Sequence, residues 1–248
     1  MPEPVLRKSP LTNVVCEVRF DASAVGQGQI LRLAKALEPA GLTEYAMEEG
    51  FQVAVRPGQI EQRPVHRHRF AAPDGSASVT LDLNAFAFET AAYMGVDPFL
   101  EAWRPVAQAV GEALGLEART RIGLRYVNEI ALGGGDYDAV RHAVNPDLLP
   151  PWGAHAHLET LANSLHELRF TQEEGELAFR HGLQRPPGAA PPVYLLDYDY
   201  YEQRLRAFDV NDDADRLRRF NAIVTDVFRW SITEGQYQAF DPEERLDA

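Results

Sequence analysis

The chain has 248 residues and a formal net charge of −13, from 24 basic and 37 acidic residues. An acidic surface repels nucleic acid and anionic membranes at long range, which makes both poor partners. The hydrophobic fraction of 45% is ordinary for a globular protein, and no apolar run is long enough to span a membrane. The single cysteine, Cys16, excludes an internal disulfide framework and fits a reducing cytoplasm.

The first half of the sequence predicts a strand, a helix, three more strands and a second helix. Alternation of apolar and polar residues indicates strands, and apolar residues at helical spacing indicate helices. The turn Pro73-Asp74-Gly75 joins two of the strands, and Gly115 ends the second helix. The predicted strands are 11–20, 51–56, 66–72 and 78–90, and the predicted helices are 30–37 and 97–115.

A long strand is predicted over residues 119–132, at the centre of the chain. One face would be apolar except for Asn128, and the other would carry Arg121 and Arg125 on either side of Gly123. A glycine inside a strand often marks the close approach of a ligand or another backbone. Two guanidinium groups beside such a gap could hold an anion, or they could pair with acidic neighbours across the sheet.

The second half predicts a similar order of elements. A short helix over 137–144 precedes strands over 159–171, 176–184 and 193–201, and the longest helix covers 211–233. We therefore expect one α+β domain over residues 1–248, made of two duplicated β-α-β-β-β-α units at about 10–115 and 119–234. Twisted antiparallel sheets would carry the helices on one face, and residues 235–248 would form a C-terminal tail.

Two segments, 10–20 and 121–130, resemble those of a sporadically distributed bacterial family that has no settled function. The late pair Phe220-Asn221 is also similar. The resemblance extends over the whole chain and implies a bacterial, cytosolic protein. It supplies no catalytic residues.

The candidate ligand-binding residues are charged side chains of predicted strands. Asp197 and Asp199 share one strand face, where they could do acid–base chemistry, bind a cation or meet Arg121 and Arg125 across the sheet. We favour this pairing, because similar acid–base spacing recurs along other strands. The predicted ligand-binding set is Arg121, Arg125, Asp197, Asp199, Asn128, Glu17 and Arg19.

Two His-x-His pairs offer an alternative site. His66 with His68, and His155 with His157, could each present two imidazoles to a metal ion. No clustered cysteines support a metal centre, and surface or core-edge histidines are the simpler interpretation. No Ser-His-Asp order, phosphate-binding loop or complete dinucleotide-binding turn is present either.

The leading hypothesis is a cytosolic binding or accessory protein without a cofactor. Its polar sheet face would hold a peptide, another protein or a small acidic ligand, and an open sheet edge would allow a homodimer. The alternative is a metal-dependent enzyme that uses the histidine pairs with Asp197 or Asp199. Single-stranded nucleic-acid binding by aromatic stacking is a third option, which the acidic composition disfavours.

Overall fold

The computed structural model describes residues 5–21, 26–56, 59–133, 137–149, 161–185 and 191–243, within which residues 50–65 are described by backbone alone. The strands are β1 (Leu11–Arg19), β2 (Glu44–Arg56), β3 (Gln59–Ala71), β4 (Ala77–Leu81), β5 (Ala85–Thr90), β6 (Ala118–Arg119), β7 (Arg121–Ala131), β8 (His166–Thr171), β9 (Glu176–Gln184), β10 (Val193–Glu202) and β11 (Arg206–Ala207). The helices are α1 (Gln27–Leu37), α2 (Val96–Leu114), α3 (Tyr137–Ala143), α4 (Val210–Ser231) and α5 (Glu234–Ala239). The predicted α+β class is confirmed.

Nine strands of the described chain form one antiparallel sheet in the order β2-β3-β4-β5-β1-β7-β10-β9-β8, and β6 and β11 form a separate pair. The strands β1 and β7 pair at its centre. Each of them is flanked by the last sheet strand of its own half, β5 beside β1 and β10 beside β7. The halves differ in detail, because four sheet strands follow α1 and three follow α3 in the described chain. Internal duplication therefore stays a prediction.

One predicted strand, 78–90, is wrong, because the chain turns between β4 and β5. Asp82 donates its backbone N–H to Ala85 O at 2.8 Å, and Phe20 N bonds to Asn84 O at 2.9 Å. Leu83 continues the apolar alternation of β4 in the sequence, yet it is about half exposed at this turn. Because Leu83 keeps the apolar alternation between Asp82 and Asn84, the sequence pattern does not show the turn.

The predicted central strand 119–132 is interrupted at Thr120, which separates β6 from β7. Thr120 N bonds to Arg19 O at 2.7 Å, outside the regular ladder. This break changes the face to which Arg119 belongs. An unbroken strand would place Arg119 beside Arg121, whereas the structure buries Arg119 on the opposite side, against α4.

The core lies between the sheet and the helices α1, α2 and α4, which pack on one side of it as predicted. Aromatic rings join the two layers: Phe88 lies 5.5 Å from Phe99 of α2, and Tyr200 lies 4.7 Å from Phe220 of α4, between ring centroids. Trp103 of α2 is fully buried. Among the described residues, no helix has the length and apolar character that a membrane crossing requires.

The helix ends follow local sequence signals. Gly115 ends α2 in a left-handed conformation with φ 66°, which costs glycine little. Part of the expected C-terminal tail is folded, because Thr233 caps α5 and Phe240 is buried behind it. Asp209 caps α4 by accepting hydrogen bonds from the backbone N–H groups of Asn211 and Asp212.

We expect Asp209→Ala to lower the free energy of unfolding by about 1 kcal/mol, because it removes the side-chain acceptor at the start of the longest helix. Asp209→Ser, which keeps an acceptor, should recover most of this loss. Urea unfolding followed by circular dichroism measures both. Equal stability of the alanine variant and the wild type would show that the cap contributes nothing.

Candidate functional site

The sheet has a second side, on which the strands at its centre and toward β8 carry paired charges. Alternate residues of β7 point away from the helices, and the register sets Asp199 opposite Arg125 and Glu17 opposite Gly123. The structure thus brings together four residues that were predicted to share one polar face, namely Arg121, Arg125, Asp197 and Asp199. We call this surface the charged face; its members are Glu17, Arg19, Arg121, Arg125, Glu167, Arg169, Arg180, Asp197 and Asp199.

Arg121 is the centre of one cluster on the charged face. It donates from Nη1 to Glu17 Oε1 at 2.7 Å and from Nη2 to Asp199 Oδ2 at 2.9 Å. Its guanidinium carbon lies 4.3 Å from the centroid of the Tyr201 ring, and only 10% of its side chain is exposed. Glu17 also accepts from Arg19 Nε at 2.7 Å. Arg121 is therefore held from several sides, and its charge is compensated by two carboxylates.

A contact within the strand explains why glycine occupies position 123 of β7. A Cβ at Gly123 would lie 2.8 Å from Arg121 Nη1, closer than side chains normally approach. The group that needs the space is therefore the guanidinium of the neighbouring arginine on the same face. The close approach expected at Gly123 is real, but it comes from within the strand and not from a ligand or a second backbone.

Asp197 organises the second cluster. Arg125 holds it in a two-pronged pair, Nε to Oδ1 at 2.7 Å and Nη2 to Oδ2 at 2.8 Å. Arg180 bridges from Asp197 at 3.2 Å to Glu167 at 2.8 Å, and Glu167 also accepts from Arg169 at 2.7 Å. Asp197 is almost fully buried, while the side chains of Arg125 and Arg169 are 45% and 61% exposed. The cluster thus presents cations to solvent above a buried carboxylate.

The pKa values on the charged face reflect this pairing. Burial raises the pKa of Asp199, although the positive charge of Arg121 opposes the rise. The hydrogen bond to Asp197 raises the pKa of Arg125, and the hydrogen bond from Arg169 lowers the pKa of Glu167. The two arginine–carboxylate hydrogen bonds favour the ionised form of the group they shift.

Asn128, a member of the predicted ligand-binding set, does not lie on the charged face. It faces the helices, is 5% exposed and donates from Nδ2 to Leu196 O at 3.3 Å. The period of two had placed it on the apolar face of β7, and the structure agrees with that placement. Its role in ligand binding stays a prediction.

The metal alternative finds no support in the described geometry. His66 and His68 lie on β3, where His68 Nδ1 contacts Tyr45 Oη at 3.0 Å, on the helix side of the sheet. Asp197 and Asp199 lie on the other side of β10, five strand spacings or about 24 Å away. His155 and His157 lie outside the described residues. In the described chain no group of three or more His, Cys, Asp or Glu residues could hold a metal.

A buried ion-pair cluster that the sequence did not reveal lies on the helix side. Arg119 is fully buried and donates to Asp213 Oδ1 of α4 at 2.6 Å and to Glu202 Oε2 at 3.0 Å. Arg206 also donates to Glu202 at 2.9 Å. This cluster ties β6 to the end of β10 and the first turn of α4. The only sequence signal was acidic residues in a helix first turn, which by itself indicates a solvated helix end.

The pKa values of the two carboxyl groups move in opposite directions. Burial raises the pKa of Asp213 to about 6, against the attraction of Arg119, and only Oδ1 accepts a hydrogen bond from the described residues. Burial also acts on Glu202, but hydrogen bonds from Arg119 and Arg206 outweigh it and lower the pKa of Glu202.

The single cysteine is a core residue. Burial raises the pKa of the Cys16 thiol, and the negative charge of Asp213 is the next largest cause of this rise. A thiol with a raised pKa carries little thiolate, so Cys16 is not a reactive thiol.

Comparison with known proteins adds no assignment. No protein-family model matches the chain, and no curated protein matches it. The candidate site therefore depends on the geometry of the charged face.

We expect Arg119→Met to lower the free energy of unfolding by about 3–5 kcal/mol, because it leaves the buried carboxylates of Asp213 and Glu202 without their shared cation. Arg206→Met is the matched control. Its side chain is 34% exposed, and its loss should cost about 1 kcal/mol or less. Guanidinium unfolding measures both, and equal losses would contradict the central role of Arg119.

The raised pKa of Asp213 predicts a pH dependence. Native Asp213 takes up a proton near pH 6, whereas an unfolded aspartate does so near its ordinary value of 3.8. Its contribution to stability is thus fully present below that value and is lost as the pH rises through 6. The stability of the wild type relative to Asp213→Asn should fall by about 1.4 kcal/mol per pH unit at most in this window. Urea unfolding from pH 4 to 8 tests this, and a constant difference would refute it.

Proposed function

We propose that the protein is a cytosolic binding protein whose charged face accepts a segment of another protein or a peptide. The observation that supports this is the run of arginine–carboxylate pairs across β1, β7, β10, β9 and β8, on the side opposite the helices. The five arginines and four carboxylates of these pairs, together with Glu129 and Glu176 on the same face, give this surface a small net charge in a chain of net charge −13. It thus repels an acidic partner less than the net charge of the chain suggests.

The pairing favours a polypeptide over a small acidic ligand. A small anion would have to displace Asp197 from the two-pronged pair with Arg125, and this would leave a nearly buried carboxylate with only its longer contact of 3.2 Å to Arg180. A polypeptide carries charges of both signs and can contact the exposed parts of Arg125 and Arg169 without breaking the pairs. The exposed arginines then act as the contacts and the carboxylates below them hold the arginines in place.

A second copy of the chain is one such partner. The edge strand β8 presents Leu168 and Phe170, which are 38% and 43% exposed, on one side and Glu167 and Arg169 on the other. An antiparallel pair centred on Leu168 would set Glu167 of each copy opposite Arg169 of the other. In the described chain no strand pairs with the outer edge of β8, and this supports the homodimer as a proposal beside the binding role.

The test is a selection of peptides from a displayed random library on the wild-type protein. Arg125→Glu combined with Arg169→Glu should weaken the binding of the selected peptides at least about tenfold, because it reverses two exposed cations of the charged face and leaves the buried Arg121 in place. The matched control is Arg32→Glu with Arg141→Glu, exposed arginines on α1 and α3. Isothermal titration calorimetry measures all three proteins.

The control variant changes the net charge by the same amount, so a non-specific charge effect would weaken both variants equally. That outcome, or unchanged binding by the charged-face variant, would remove this surface as the binding site. Thermal unfolding of each variant shows whether the fold is intact.

A further inference from the structure

A cavity of about 680 Å³ lies on the helix side of the sheet, on the opposite side from the charged face. It opens between the N-terminal segment, the start of α2, the middle of α4 and strand β7. Its volume is typical of a small-molecule pocket. Apolar side chains form much of its wall, including Leu6, Leu11, Val96, Val224 and Phe228.

The floor of the cavity is polar and uncharged. Tyr126 donates to Asn221 Oδ1 at 2.7 Å, and the hydroxyls of Tyr93 and Tyr126 lie 3.1 Å apart. Tyr93 also reaches Asn221 Oδ1, at 3.3 Å. These groups come from β7, α4 and the segment before α2, so the fold assembles them at one place in the cavity.

Asn128 lines the cavity beside this network. Its Nδ2 donates to Leu196 O, and no group in the described chain donates to its Oδ1. Asn128 is 5% exposed as a residue, but its Oδ1 is not fully enclosed, so this atom is accessible from the cavity that Asn128 lines. The amide oxygen therefore provides an acceptor for a hydroxyl or N–H group that enters the cavity.

The charges at the rim are paired with one another. Arg218 donates to Asp97 at 3.0 Å, and Arg7 donates to Glu243 at 3.4 Å. Among the described residues of the rim, two arginines thus stand beside two carboxylates, and these four side chains carry no excess charge. An ionised head group would have to compete with these pairs, whereas an uncharged one would not.

We infer that this cavity binds an uncharged amphipathic small molecule, with a hydroxyl or amide head donating to Asn128 and an apolar body against the wall formed with Val224 and Phe228. The acceptor oxygen of Asn128 favours a donor in the polar part of the ligand, and the ion pairs at the rim favour a ligand without charge. The apolar wall favours a hydrocarbon chain or ring in the rest of the ligand. This site is independent of the charged face, because the two lie on opposite sides of β7.

The probe is decanol, titrated into the whole protein by isothermal titration calorimetry, with decanoate as the ionised counterpart of the same chain length. Ala222→Trp tests the location: Ala222 is exposed at the cavity, so a large side chain fills the space without entering the core. Decanol should bind the wild type, bind more tightly than decanoate, and lose about tenfold or more in affinity in this variant. Ala36→Trp, an exposed alanine of α1 outside the cavity, should bind like the wild type.

Asn128→Leu tests the head group. It removes the acceptor and should weaken decanol by about tenfold, provided that thermal unfolding shows an intact fold. If this variant does not fold, Ala222→Trp and the decanoate comparison still decide the question. The inference is overturned if decanol does not bind, if decanoate binds more tightly, or if Ala222→Trp binds as well as Ala36→Trp.

Discussion

Compensation of arginine charge beside the central strand is the constraint on which this fold depends. Arg119 and Arg121 are both largely withdrawn from water, one on each side of the sheet, and each meets two carboxylates. A buried arginine without such partners would cost several kcal/mol. The partners come from β1, β10 and α4, which are distant in sequence. Correct placement of these three elements around β7 is therefore a condition for placing either arginine.

The same constraint explains why the two sides of the sheet differ in chemistry. On the helix side, the layer of apolar and aromatic residues encloses one fully buried arginine among the described residues, Arg119, and surrounds it with Asp213 and Glu202. On the other side, carboxylates such as Asp197 are buried by the arginines above them, whose ends stay in solvent. A surface built in this way is ordered, because each arginine is fixed by its pair, and still accessible to a partner.

The faces of the strands could be predicted from local alternation of apolar and polar residues, whereas features that depend on a break in this alternation could not. Arg121 and Arg125 were assigned to one face correctly, since a continuous strand has a period of two. Arg119 was missed because the strand stops at Thr120, and no residue there signals a change of face. The predicted strand 78–90 is in fact two strands, and the turn between them is not visible in the pattern because Leu83 keeps the alternation through it. The sequence indicates a close approach at Gly123, but it does not indicate that the group close to Gly123 is the guanidinium of Arg121.

Register is the remaining link between these features. A shift of β7 by one residue would exchange its faces, so Arg121 and Arg125 would enter the core while Tyr126 and Asn128 would meet solvent. The unpaired guanidinium groups would then lie among apolar side chains, and Asp197 and Asp199 would lose their cations. Neither change has a compensating gain, so the alternative register is excluded by charge as well as by hydrophobic burial. The residues that make a candidate binding surface on one side, and a candidate ligand cavity on the other, are thus the same residues that fix the strand in place.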